Sequence, residues 1–312
     1  MIARLVRSAR SNPRLLVGLV LLAAVALAAL AGALVASDPF RTSETVLRGP
    51  SVHHPFGTDN LGRDVLDRVL HGVGTSLKVS LLAVGAGTVV ATALGLVSGY
   101  AGGVIDDLLL KLAELLQVIP GFLLALVAAA AFGASLLLLV IILAVIFFPR
   151  TFRLARGEAI GLREREFIHA ARSAGARPVR ILTRHILPGA LTIVLVNASF
   201  QAGTAVLIET GLSFLGVSER DTVSLGAMLF DAQSYLEQAW WMSLFPGALV
   251  AVTIVSVNLV GDGLQGLRDV RAAGAVGPER PASGSGHGAT ALERLAVASS
   301  LGDSTKTPKG EA

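Results

Sequence analysis

The side chains able to do chemistry in this chain are few, and their spacing limits what that chemistry is. Cysteine is absent, so no thiolate is available to attack a substrate, hold a metal or close a disulfide. No G-x-x-x-x-G-K-[ST] phosphate loop occurs in the sequence. His53 and His54 are adjacent but have no third ligand at a suitable spacing, so they predict a loop and no metal. Lys111 and Glu114, three residues apart near the end of an apolar stretch, can form an ion pair. Asn197 and Gln201, four apart on one helical face and deep in another apolar stretch, can either line a pathway or bond to a neighbouring helix. The densest cluster of polar groups is Arg163 to Pro188, REREFIHAARSAGARPVRILTRHILP.

That segment has internal order. Phe167, Ala170, Ala171 and Ala174 recur at helical spacing while Arg165, His169 and Arg172 take other faces, which predicts a short amphipathic helix. Gly175 stands where a helix C-terminus favours a left-handed residue, and Pro178 where a new helix can begin without an amide donor. Val179, Leu182 and Ile186 then share one side of a second helix that Pro188 is expected to end. Two helices joined by a glycine turn make a docking knob. The plainer alternative is a basic connection that obeys membrane-protein charge statistics.

The elements that must position this knob are apolar. Of 312 residues 53% are hydrophobic and 15% charged, with mean hydropathy +0.69, well outside soluble-domain composition. A helix crosses the hydrocarbon core with about 20 residues. Six stretches qualify, roughly 15–36, 76–98, 107–132, 135–149, 189–210 and 243–263, the fourth needing its flanks. Lipid offers no hydrogen-bond partner and no alternating strand pattern occurs, so the fold class is an all-α membrane protein of about six transmembrane helices. Arg4, Arg7 and Arg10 precede the first stretch, whose apolar run exceeds that of a signal peptide, so it is expected to remain as an uncleaved span.

The charges orient these spans. With the N-terminus inside, the inner connections hold nineteen Lys and Arg residues and the outer ones five, which predicts a multi-pass inner-membrane protein with both termini cytoplasmic. The organisation read from this is a cytoplasmic N-terminus (1–14), a first span (15–36), an extracytoplasmic segment (37–75), a core (76–271) containing the cytoplasmic loop 150–188, and a disordered cytoplasmic tail (272–312) with a short helix allowed at 290–299. Gly62 to Gly72 alternates apolar and charged residues and predicts an interfacial helix on the outer surface. Glu209 and Asp262 lie near span ends, where interfacial solvation is expected, and Gly85, Gly87 and Gly95 predict close helix packing. Nothing in the pattern points to nucleic acid.

The segment 164–188 resembles the coupling loop, named for its Glu-Ala-Ala, of binding-protein-dependent ABC importer permeases. The register places His169-Ala170-Ala171 on that motif, then Gly175, then His185-Ile186-Leu187-Pro188; His169 replaces the leading Glu and His185 an Ile. HPFGTDNLGRDVL (His54 to Leu66), GYAGGVID (Gly99 to Asp106), LREREF (Leu162 to Phe167) and ETGLSFLGV (Glu209 to Val217) are similar to the C-type subunit of the dipeptide, oligopeptide and nickel group. Ser224 and Leu225 stand where that branch has a Pro-rich stretch and a Trp. The resemblance implies a MetI-like, type I importer fold and a coupling site at Glu166, Phe167, His169, Ala170, Ala171, Gly175, Arg177 and Pro188. It implies as partners a second, homologous permease, two cytoplasmic ATPase subunits, an extracytoplasmic binding protein and membrane lipid. ATP and Mg belong to the ATPase, with no catalytic residue or cofactor on this chain. Peptides lead as substrate; nickel or another small solute, or a secondary transporter or channel without ATPases, are the alternatives.

Overall fold

With no water in the bilayer core, each apolar stretch closes its backbone hydrogen bonds within a helix. The computed structural model describes residues 13–217, 219 and 221–275. The chain divides into two units, Met1–Leu267 and Arg268–Ala312, and the architecture is that of the first. Its helices are α1 (Pro13–Leu34), α2 (Val65–Ala101), α3 (Gly103–Val118), α4 (Gly121–Phe132), α5 (Leu136–Arg163), α6 (Glu166–Ser173), α7 (Pro178–Ile181), α8 (Leu187–Phe214), α9 (Leu225–Ala232) and α10 (Trp241–Ala275). A π-helical turn, Leu182–Ile186, joins α7 to α8. Five helices are long and apolar enough to cross a membrane, counting Pro178–Phe214 as one; α3 and α4 together give a sixth. This is the all-α membrane architecture read from the sequence.

Several boundaries differ from the sequence reading. The third stretch breaks at Ile119–Pro120 and its halves bend by 81°, because a proline there removes a donor and biases the preceding residue to its observed extended ψ of 123°. The interfacial helix expected at 62–72 is instead the first turns of the 37-residue α2. Its charges turn inward: Arg68 is buried and paired with Asp59 and Asp231. The fourth stretch is the start of the 28-residue α5, which continues through Pro149. Pro188 does not stop its helix. It falls in the first turn of α8, where a missing amide loses nothing. Helix α10 takes in residues 272–275, assigned above to the tail; the rest of that tail, its helix at 290–299 and residues 1–12 lie outside the described residues.

Close backbone contacts fix how the helices run. Along α2 a ladder of small residues, Ala83, Gly87, Ala91, Gly95 and Gly99, recurs every four residues and so lies on one face. A Cβ added at Gly87 would lie 3.0 Å from Ala144 O, at Gly95 2.6 Å from Phe152 O, and at Gly99 2.5 Å from Arg156 O. The rising register shows that α2 and α5 run parallel. Thr151 of α5 bonds Gln201 of α8, and Gly189 faces Leu162, so α8 returns antiparallel. Gly203 against Asn258 with Gly261 against Phe200, and Gly18 against Leu259 with Gly263 against Leu15, make α10 antiparallel to both α8 and α1. One end of the bundle therefore carries the starts of α1, α3 and α8, the ends of α2 and α5, and the knob 164–188. Gly85, also expected in close packing, faces open space.

At the opposite end, residues 35–64 fold over the start of α2. Asp59 accepts from the backbone of Leu61 and Arg63 (2.9 Å each) and from the side chains of Arg63 and Arg68. Trp241 Nε1 donates to Thr58 O at 3.1 Å, and Phe56 stacks on Phe245 with ring centroids 4.0 Å apart. Asp64 caps α2 by accepting from Leu66 N, and Ser224 caps α9 by accepting from Ala227 N. Ser224 thus starts a helix in the stretch where the sequence departs from the peptide-importer pattern, and the buried Leu225 seats that helix in the core.

The glycine ladder makes a direct prediction. Gly95→Val should destabilise the fold by about 1–3 kcal/mol through overpacking, since its Cβ meets backbone that cannot yield cheaply. Gly85→Ala should be neutral or gain up to about 1 kcal/mol of helix propensity. Thermal unfolding of the detergent-purified protein reads both; coincident midpoints for the two variants would contradict this account of the interface.

Candidate functional site

The knob at 164–188 is a short helix, a glycine turn and a second helix, held to the bundle by three isoleucines. Ile168 of α6, Ile181 of α7 and Ile186 of the π turn are fully buried, packed with Leu96 of α2, Ala155 and Ala159 of α5, and Ala190 and Val194 of α8. Each such side chain contributes about 1.5–3 kcal/mol when taken from water. The apolar face expected from periodicity is therefore not the inward one: Phe167 is 49% exposed, Ala170 and Ala174 are exposed, and Ala171 is half-buried. In the second half Val179, 70% exposed, likewise faces out, while Leu182 is half-buried. Phe167 stacks on His185 at 6.5 Å, which ties the two halves of the knob together.

Local chemistry fixes the turn. Gly175 has φ +80°. Its amide donates to Arg172 O at 2.9 Å, and the Ala176 amide donates to Ala171 O at 3.0 Å, the paired bonds of a Schellman C-cap. Arg177 is exposed in extended conformation and leads into Pro178 at the first position of α7. Glu166 opens α6 at the positive end of its dipole, and Glu166, His169 and Pro188 are all exposed. The predicted residues from Glu166 to Arg177 thus share one unit, with Pro188 just beyond it at the start of α8.

A clasp that sequence reasoning did not assemble lies beside the knob. Arg156 Nε and Nη2 of α5 donate to the two carboxylate oxygens of Asp106 in α3, both at 2.6 Å, a bidentate pair. Ser98 of α2 donates to the same carboxylate. Arg163 Nη1 donates to Gly99 O at 3.1 Å, and the Arg172 guanidinium of α6 lies over the Tyr100 ring, 5.0 Å from its centroid. The GYAGGVID motif and the arginines were visible in the sequence, but no spacing rule joins residues fifty positions apart.

The remaining candidates separate. Gln201 is buried and Asn197 half-buried; the amides of both donate to Thr151 Oγ1 of the neighbouring α5, at 3.0 and 3.2 Å. Lys111 and Glu114 are exposed and do not pair; the ion pair of α3 is Asp106 with Arg156. Glu209 is not at a solvated span end but buried, accepting from Ser213 Oγ at 3.0 Å. His54 Nδ1 lies 2.7 Å from Asp64 Oδ2, locking the segment before α2, while His53 is exposed.

Residues 91–273, which include the knob, the clasp and the Thr151 contacts, match the family model described as binding-protein-dependent transport system inner membrane component. The chain is 35% identical over 263 residues to a dipeptide transport system permease protein of Alkalihalophilus pseudofirmus, covering 83% of this chain and 86% of that one. It is 35% identical over 222 residues to a glutathione transport system permease protein of Pectobacterium atrosepticum, covering 71% and 74%. An inward-facing methionine ABC transporter, MetNI, shares the fold with TM-score 0.52 at 19% identity, covering 66% of this chain and 95% of the other. An all-α bundle with a glycine-turned knob, matched over most of its length by such relatives, belongs to the binding-protein-dependent ABC importer permeases, as a multi-pass inner-membrane component.

Proposed function

We propose that this chain is the membrane half of a peptide importer whose ATP is hydrolysed on separate subunits seated against the knob at 164–188. The observation that carries this is the inversion of the knob's apolar face. Ile168, Ile181 and Ile186 anchor it, which leaves Phe167, Ala170 and Ala174 outward on a rigid support, uncovered among the described residues. Small residues flanking an aromatic suit the close approach of another protein's groove, and the surrounding Arg165, Arg172 and Arg177 supply charge at the rim. The sequence has no phosphate loop of its own. Nineteen basic residues against five support a cytoplasmic knob and cytoplasmic termini, the side where ATP is available. A second permease, paired across the pathway, and an extracytoplasmic binding protein complete the reading. Relatives named for dipeptides and for glutathione favour a short peptide as the solute.

Two measurements test the proposal. Uptake of labelled dipeptide into vesicles holding this chain, its paired permease, the ATPases and the binding protein should require ATP; uptake driven by an ion gradient without ATPases would replace the reading with a secondary transporter. Gly175→Val places a β-branched side chain at φ +80°, a strain of about 1–3 kcal/mol with no steric neighbour to blame. Loss of ATPase co-purification or of uptake per ATP is expected, with Gly175→Asn milder because asparagine tolerates the left-handed region. Wild-type values in Gly175→Val would remove the knob from the mechanism.

A further inference from the structure

Helix α3 is the least embedded of the apolar helices with a break on each side. It is joined to α2 through Gly102 and Gly103, both at positive φ (+67° and +60°), and to α4 through the 81° bend at Ile119–Pro120. Two successive left-handed glycines form a joint that no other residue pair adopts cheaply. Between these joints only Ala113 is fully buried, against Ala91, Phe148 and Phe152. The polar attachment of α3 is Asp106, gripped bidentately by Arg156 and by Ser98, with side chains 13% and 25% exposed for Asp106 and Arg156.

The residues that follow Ser98 touch the knob. Arg163, at the end of α5 and three residues before α6, bonds the carbonyl of Gly99, and Arg172 within α6 rests on Tyr100. The last turn of α2 is therefore held on one side by the knob and on the other, through Ser98, by the start of α3. A displacement of α6 pulls on Tyr100 and Gly99 directly. It reaches α3 through Ser98 and through α5, whose Arg156 lies two turns before Arg163. A packed helix and bidentate ion pair transmit such movement as a unit, whereas the glycine joint alone would let it dissipate.

We propose that the Asp106–Arg156 pair is the joint that carries movement of the coupling knob into α3, and that Asp106 and Arg156 are positioning residues for transport. This rests on the importer reading above. Neither residue touches the outward face of α6, so their loss leaves ATPase docking intact and breaks the transmission of movement from the docked knob. The chain's lack of cysteine adds a clean structural readout, since single cysteines placed on α3 and α6 are the only labelling sites.

The test uses the complete reconstituted complex and compares wild type, Asp106→Asn, Arg156→Lys and the exchanged pair Asp106→Arg with Arg156→Asp. Expected are unchanged ATPase co-purification, hydrolysis within about twofold of wild type and uptake per ATP lowered about tenfold in Asp106→Asn, within the span of ordinary coupling between sites. Arg156→Lys should fall between, keeping charge but losing the fork. The exchanged pair should recover part of the ratio, and spin labels at Val104 and Ser173 should change distance with ATP state in Asp106→Asn but hold it in wild type. A wild-type ratio in Asp106→Asn overturns the inference alone. So does equal loss of hydrolysis, uptake and assembly in every variant, which would make the pair merely structural. Absence of ATP-driven uptake by the wild-type complex overturns the importer reading and this inference with it.

Discussion

The contact on which the rest depends is the approach of the α2 and α5 backbones along the ladder of Gly87, Gly95 and Gly99. In lipid, apolar side chains gain little by meeting one another, so association rests on dispersion and on polar contacts that small residues permit. At Gly95 and Gly99 the opposing carbonyl oxygens lie too close for a Cβ to fit without a shift, at 2.6 and 2.5 Å from where it would stand. The parallel alignment that results puts the ends of two long helices side by side. Gly99 then lies against Arg156 and Arg163, Ser98 reaches the Asp106 carboxylate that Arg156 holds, and Tyr100 meets Arg172.

Around this pair the polar groups obey the same economy of partners. Thr151 sits at the centre of a small network because α8 returns against α5, and two amides share its one hydroxyl. Arg68 is tolerated inside because Asp59 and Asp231 meet it from different elements, one in the folded segment before α2 and one in α9. A buried pair of this kind adds less stability than its short contacts suggest, since desolvation offsets attraction. Its effect is on geometry: it holds the segment 35–64 and α9 in register with α2, as Trp241 and Phe245 do by packing.

Much of this was legible in the residues. Span positions come from apolar length, and the glycine turn from Gly175 and Pro178, because each is decided within a few residues of itself. The failures are equally physical. Periodicity marks which face of α6 is apolar, but not whether that face looks into its own protein or toward another; Ile168, one position off the stripe, took the interior. A proline does not by itself mark a break. Pro120 lies in an extended linker and bends the chain, whereas Pro188 in a first turn and Pro149 within α5 do not end their helices. Ion-pair choice was read from neighbours in sequence, Lys111 with Glu114, yet on α3 the group that faces protein is Asp106, and its partner arrives from another helix.

These levels of packing differ in a way that matters for movement. Where α2 meets α5 the backbones interlock through glycines, and a shift of even a fraction of an ångström would drive atoms together, so the two behave as one body. Helix α3 has one fully buried residue, Ala113, with Leu109, Leu110 and Leu116 half-buried around it, and a break at each end. An element with few fully buried contacts belongs to the low-stability part of a fold, and a small number of directional bonds then adds appreciably to what its thin apolar contact supplies. Asp106 supplies those bonds to the rigid body, and the same body carries the knob through Arg163 and α6. A rigid pair bearing both the knob and the tether of a loosely packed helix is the arrangement by which a contact at one end of a bundle can be felt along its length, without any continuous deformation of the core.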